Sequence, residues 1–135
     1  MKINKNQDTA LLTLRVLVGA LIMLHGFGNL LSGYAFISQV LEKAGIPSFF
    51  AAGAFMGEIL APILLIIGFR TRLAALAIAA TMLVATLLVH RGEIFALNQF
   101  GGWAVELQAF YFFGAIALFF SGAGRMAVSK SNEWD

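Results

Sequence analysis

Four long apolar stretches, separated by short links that hold most of the charge, constrain this chain more than any other feature. A helix needs roughly 20 apolar residues to cross a hydrocarbon core of about 30 Å. The stretches at about 11–31 and 49–69 reach that length, and those at 73–89 and 103–120 come close. Composition points the same way. The 135 residues are 60% hydrophobic and 12% charged, where soluble domains carry about 25% charged residues. With half the usual charge, a compact domain of this size lacks the polar surface that water requires. The expected fold class is an all-α membrane protein, a four-transmembrane-helix bundle forming one integral membrane domain over residues 1–135.

Lys2 and Lys5 ahead of an apolar run have the polarity of a signal peptide. The run is nevertheless as long as a bilayer is thick, contains Arg15 and His25, and precedes no small-x-small cleavage site, so it reads as a retained helix. The absence of cysteine excludes disulfides, thiolate metal sites, iron–sulfur clusters and covalently attached haem. No basic stripe lies outside the membrane flanks, so the expected partner is the lipid bilayer and not nucleic acid.

The links divide the spans. Arg70-Thr71-Arg72 is a tight connection between spans two and three, and residues 91–102 form a longer one. In the first link, Phe36, Ile37, Val40 and Leu41 recur at helical spacing opposite Gln39, Glu42 and Lys43. Gly45 and Pro47 then end that helix. A short amphipathic helix in the interface plane is expected there. Orientation follows from Lys and Arg. Lys2, Lys5, Arg70, Arg72, Arg125 and Lys130 fall on one side, against Lys43 and Arg91 on the other. The richer side is expected to be cytoplasmic, with both termini there. Trp103 reads as an interfacial anchor at the start of span four.

Small residues mark the expected helix contacts: Gly53, Gly57 and Ala61 on span two, and Ala74, Ala77, Thr81 and Ala85 on span three. On span one, Arg15, Gly19, Gly26 and Asn29 fall close to one face. A charge at the centre of a span costs roughly 2.5–3.5 kcal/mol, so it faces a partner or water. Arg15 lies one turn inside the cytoplasmic end and is expected to snorkel outward. Glu58 lies about 14 Å into span two, at 1.5 Å per residue, too deep for a short carboxylate to reach the surface. His25 and Asn29 near the outer end of span one, His90 at the end of span three and Glu106 at the start of span four share its half of the membrane. These five residues are the candidate ligand-binding or proton-relay set, because imidazole and carboxylate groups at this depth suit proton transfer or hydrogen bonding to a polar headgroup. Arg15, Arg70, Arg72 and Trp103 are read as structural and topological. The inner half, Arg15 aside, is expected to be apolar. A buried network that merely fixes helix register explains the same residues. The unequal depths of His25 and His90, about 10 Å apart, argue against haem, and no ligand spacing supports a metal.

The ordered series of motifs resembles the DoxX family of small four-span membrane proteins, from about Leu11 to Ser129. It comprises Arg15 ahead of His25-Gly26, then Gly45-Ile46-Pro47 and Glu58. Gly68-Phe69-Arg70-Thr71-Arg72-Leu73-Ala74-Ala75 follows, then His90, Glu106-Leu107 and Gly122-Ala123-Gly124. Family members commonly carry lysine where this chain has Asn29 and proline where it has Ala123. Losing that lysine removes a charge partner for Glu58. The resemblance implies a bundle in a prokaryotic cytoplasmic (inner) membrane. Some relatives are quinone-linked subunits of thiosulfate oxidation, and others partner a redox enzyme in an oxidative-stress complex. The leading expectation is therefore an accessory membrane subunit of a quinone-linked or redox-stress complex, with a quinone-like or small polar ligand in the outer half of the bundle. A redox-enzyme partner or a homo-oligomer would accompany it. A small proton-coupled transporter and a non-catalytic scaffold are the alternatives.

Overall fold

A computed structural model describes residues 5–135, so Lys2 lies outside the described residues. The chain is all-helical apart from turns and one isolated β-bridge, among the described residues. Helix α1 runs Lys5–Leu31 and α2 Ala35–Lys43. A 3-10 turn over Ser48–Phe50 leads into α3, Ala51–Phe55, which continues through a π-helical turn at Met56–Leu60 into α4, Ala61–Ile67. Helix α5 spans Thr71–Val89 and α6 Glu106–Ser121. Three rods are long and apolar enough to cross a membrane: Lys5–Leu31, Ser48–Ile67 and Thr71–Val89. Helix α6 is apolar but shorter, at 16 residues.

Local chemistry sets the ends. Gly68 closes α4 in the left-handed region (φ +74°), its N–H donating to Leu64 O and Leu65 O while Phe69 N–H reaches back to Leu64 O. This is the Schellman geometry that glycine permits. Gly45 ends α2 in the same way, with Ile46 N–H donating to Leu41 O. Span two therefore ends at Ile67, two residues before the sequence expectation. Helix α6 begins at Glu106 and not at Trp103, because residues 94–104 fold as a hairpin in which Leu97 pairs with Trp103.

The four longer elements pack around one core of Val18, Ile22, Leu65, Ile78, Ala115 and Leu118 with their neighbours. Helix α6 lies mainly against α5, and α1 lies between α4 and α6. The α1 stripe is buried at Arg15, Val18, Gly19, Ile22 and Gly26, the three-and-four spacing of one helix face. A Cβ at Gly19 would lie 3.0 Å from the Pro62 carbonyl oxygen, and one at Gly26 would lie 2.5 Å from that of Glu58. Glycine is what lets these backbones approach. On span two, Gly57 and Ala61 are buried but Gly53 faces open space. On α5 the tightest positions are Ala74, Ala75, Ile78 and Ala79, while Ala77, Thr81 and Ala85 are half-buried.

Candidate functional site

The π-helical turn is built around Pro62. Proline has no N–H, so the carbonyl of Glu58, four residues earlier, loses its helical donor. The chain widens over Met56–Leu60, and Ala61 N–H bonds to Met56 O, five residues back. Such single wide turns inside helices are frequent at functional sites. Here it carries Glu58, which is 4% exposed.

Three neighbours fix Glu58. Gly26 of α1 packs directly on its backbone carbonyl and Cβ. Gly57, beside it, lies so close to the Thr81 side chain that a Cβ there would overlap Thr81 Oγ1. The Asn29 amide Nδ2 donates to Glu58 Oε2 at 2.8 Å. Asn29 is itself held at the end of α1. Its carbonyl accepts the Tyr34 N–H at 3.0 Å and the Ser32 hydroxyl at 2.8 Å. Gly33 and Tyr34 both adopt positive φ, +65° and +57°, an uncommon conformation for a bulky residue. That turn brings the Tyr34 hydroxyl to a buried position. Burial, with the nearby Glu58 charge added, pushes the phenol above its ordinary value. Sequence reasoning misses Tyr34; the Ser32-Gly33 pair ahead of it is the one signal that could have marked a bend there.

Glu58 opens onto a cavity of about 360 Å³, within the size range of small-molecule sites. Ile37, Val40 and Leu41 of α2 roof it, Phe50 and Gly53 form one wall, and the C-terminal half of α5 from Ala80 to Val89 forms the other. Glu58 is its single ionisable lining residue. The Thr81 hydroxyl donates to Ala77 O at 2.9 Å, so its proton is already committed. The space therefore suits an apolar body with one hydrogen-bonding head. Phe36, expected on the same face of α2, is instead exposed.

The structure brings Asn29 and Glu58 together and leaves the other three candidates apart. His25 is exposed, one residue round the helix from the buried Gly26. His90 Nδ1 sits 2.8 Å from Glu93 Oε2. Glu106 is exposed and folds back over Gly102, where a Cβ would lie 2.7 Å from its Oε2. The expected cluster of four ionisable groups is thus reduced to one carboxylate and its amide partner. Helical depth is readable from sequence, but which way a residue near a helix end faces depends on where the helix ends. Among the described residues no group of three His, Asp or Glu side chains is placed to hold a metal.

The opposite end of the molecule is more polar than expected. Arg15 is 1% exposed and does not snorkel. Its guanidinium donates to the carbonyls of Ala123 at 2.7 Å and Met126 at 2.6 Å. Asp8 accepts from the Arg125 N–H at 2.8 Å and from its Nε at 2.6 Å. The segment after α6 is also tied to the α4–α5 link. Ser129 N–H donates to Gly68 O, Arg72 N–H donates to Trp134 O, and Arg70 faces Asp135 at 3.6 Å. Arg70 and Arg72, read as topological, also hold this tail. Trp103 donates its indole N–H to Ile94 O at 2.6 Å, inside the 94–104 hairpin.

Long apolar helices, glycine-mediated packing and a deeply buried carboxylate define an all-α integral membrane protein. The DoxX family model matches residues 10–91, and the chain belongs to the DoxX family. The chain is similar to the inner membrane protein YqjF of Escherichia coli (strain K12), 31% identical over 95 residues, which cover 70% of this chain and 72% of that protein. No solved structure matches it. The matched region contains Asn29, Glu58 and every residue lining the cavity, whereas the 94–104 hairpin and α6 lie beyond it.

Proposed function

We propose that this chain is a ligand-binding membrane subunit of a redox-linked complex. It takes a quinone-like molecule into the cavity beneath α2, with Glu58 as the hydrogen-bonding and proton-exchanging group. The observation that carries this reading is one buried carboxylate, held by Asn29, at the wall of an otherwise apolar cavity. A quinone matches that asymmetry: its ring and tail need only apolar contact, and its carbonyl needs one donor. Glu58 is the one ionisable side chain at that wall able to supply the hydrogen bond. Family membership supports a redox setting. The molecule is proposed to be a single domain crossing the cytoplasmic membrane four times with both termini inside, α6 completing its crossing with the residues that flank it. The cavity then lies in the outer half of the membrane. The packing of α1, α4, α5 and α6 on one core and the inner-membrane location in the relative's name support that arrangement.

The test is equilibrium binding of a short-tailed quinone to the purified protein in lipid nanodiscs. Gly53 faces open space at the cavity wall, so Gly53→Leu should fill the cavity without disturbing the fold and abolish binding. Glu58→Leu removes the hydrogen-bonding head and is expected to weaken binding about tenfold, roughly one hydrogen bond. Unchanged affinity in both variants would overturn the proposal.

A further inference from the structure

Residues 94–105, between α5 and α6, contain no Asp, Glu, Lys or Arg. They nevertheless hold a defined shape. Asn98 N–H donates to Gly102 O at 2.8 Å and Ala104 N–H donates to Ala96 O at 3.0 Å. The Asn98 side-chain oxygen accepts the N–H groups of Phe100 and Gly102. The hairpin thus satisfies much of its backbone from within, as non-helical backbone must where water is scarce. Its apolar side chains point the other way. Phe95 is 100% exposed, Phe100 87% and Leu97 73%. Three large apolar side chains presented on an ordered loop mark a surface with a partner.

Helix α6 identifies that partner. Sixteen residues rise about 24 Å against a hydrocarbon core of about 30 Å, so α6 alone falls about 6 Å short. The hairpin precedes its first turn, and it does not stand clear of the helices. Ile94, Trp103 and Val105 wall a second cavity, of about 230 Å³, together with Met82, Leu83 and Phe112. Met82 lies seven residues before Val89, about 10 Å down the axis of α5. The loop therefore lies against the last turns of α5 and the first two turns of α6. Of the nearest charges, Arg91 and Glu93 precede the loop, and the Glu106 carboxylate folds back over Gly102.

We propose that residues 94–105 form a re-entrant cap immersed in the membrane interface. Phe95, Leu97 and Phe100 contact lipid there, and the cap flanks the first turns of the short helix α6 with apolar side chains. The inference rests on the four-crossing arrangement proposed above and is independent of any ligand at Glu58.

The chain has no cysteine, so single-cysteine variants can carry a nitroxide at one defined place. Phe95→Cys and Phe100→Cys replace exposed side chains and leave the packing intact. Phe113→Cys, on the exposed face of α6, serves as the lipid reference, and Lys130→Cys as the aqueous one. In phosphatidylethanolamine–phosphatidylglycerol vesicles, the spin label's collision with oxygen is compared with its collision with a water-soluble nickel chelate. Labels at positions 95 and 100 should give an oxygen-to-nickel ratio several-fold above that at 130 and approaching that at 113. A ratio matching position 130 overturns the proposal and leaves the four crossings standing. Labels shielded from both reagents overturn it in favour of a protein partner. An aqueous label at position 113 overturns the α6 crossing and this inference with it.

Discussion

At the residue scale, two glycines on one helix separate close packing from mere smallness. Gly26 and Gly28 both lie on α1, two positions apart. A Cβ at Gly26 would meet the Glu58 backbone, which cannot yield, whereas a Cβ at Gly28 meets nothing within 4 Å. Alanine improves helix propensity by about 0.5–1 kcal/mol at either position. At Gly26 that gain is opposed by an overpacking cost of about 1–3 kcal/mol. Gly26→Ala is therefore expected to lower the thermal unfolding midpoint in detergent, and Gly28→Ala to leave it unchanged or raise it. Equal effects would mean that the α1–Glu58 contact is not close. The sequence pointed to Gly26 because it lies with Arg15 and Gly19 near one face. That its partner is the carbonyl of Glu58 was not legible, although Pro62 was in plain view. A proline four residues after the one deep carboxylate frees that carboxylate's own carbonyl, and from that bond a disturbed helical turn follows.

At the element scale, the helices were legible and the tail was not. Hydrophobic runs and the stop at Gly45 and Pro47 located most of the rod ends to within a few residues, because span length and chain reversal are local properties. The 122–135 segment has no periodicity. Its structure comes from partners more than 100 residues distant in sequence, Asp8 for Arg125 and Arg15 for the carbonyls of Ala123 and Met126. The inner half consequently read as apolar. The tail also carries a pH signature. Burial alone would raise the Asp135 carboxyl, but the Asn132 N–H, the Ser129 hydroxyl and Arg70 outweigh it and hold the group below its ordinary value of 3.8. A carboxylate depressed in the folded state contributes stability above its unfolded value and loses it as pH falls through the folded one. Tail docking should thus be constant from pH 7 to about 5 and loosen only below about 3.8. Hydrogen exchange at Val128 and Ser129, whose N–H groups bond to Ile67 O and Gly68 O, reads this directly. Asp135→Asn should show faster exchange already at pH 7 and a smaller acid response, the remainder coming from Asp8, which holds the same tail through Arg125. An acid response unchanged in that variant would assign the titration to another group.

At the scale of the whole molecule, the arrangement of charge around the helices sets the direction of insertion. Two cations at the tail end have acidic partners in the folded protein, Arg125 with Asp8 and Arg70 with Asp135, so in the finished structure that end is only weakly positive. Insertion is decided earlier, before those contacts form, and it is governed by Lys and Arg while acidic residues count for little. The relevant comparison is then Lys2, Lys5, Arg70, Arg72, Arg125 and Lys130 against Lys43 and Arg91, and it favours a cytoplasmic tail. Alkaline phosphatase fused after Asp135 is expected to be inactive, and green fluorescent protein at the same point to fluoresce. Replacing Arg70 and Arg72 by alanine removes two of the six cations and should give a measurable inverted fraction, whereas Asp8→Asn and Asp135→Asn should not change the topology at all. If instead the acidic replacements shifted it, the folded ion pairs would be setting the orientation. If the unmodified chain gave active phosphatase, the whole assembly would be reversed, and the Glu58 cavity would draw its ligand and its proton from the cytoplasmic half of the membrane.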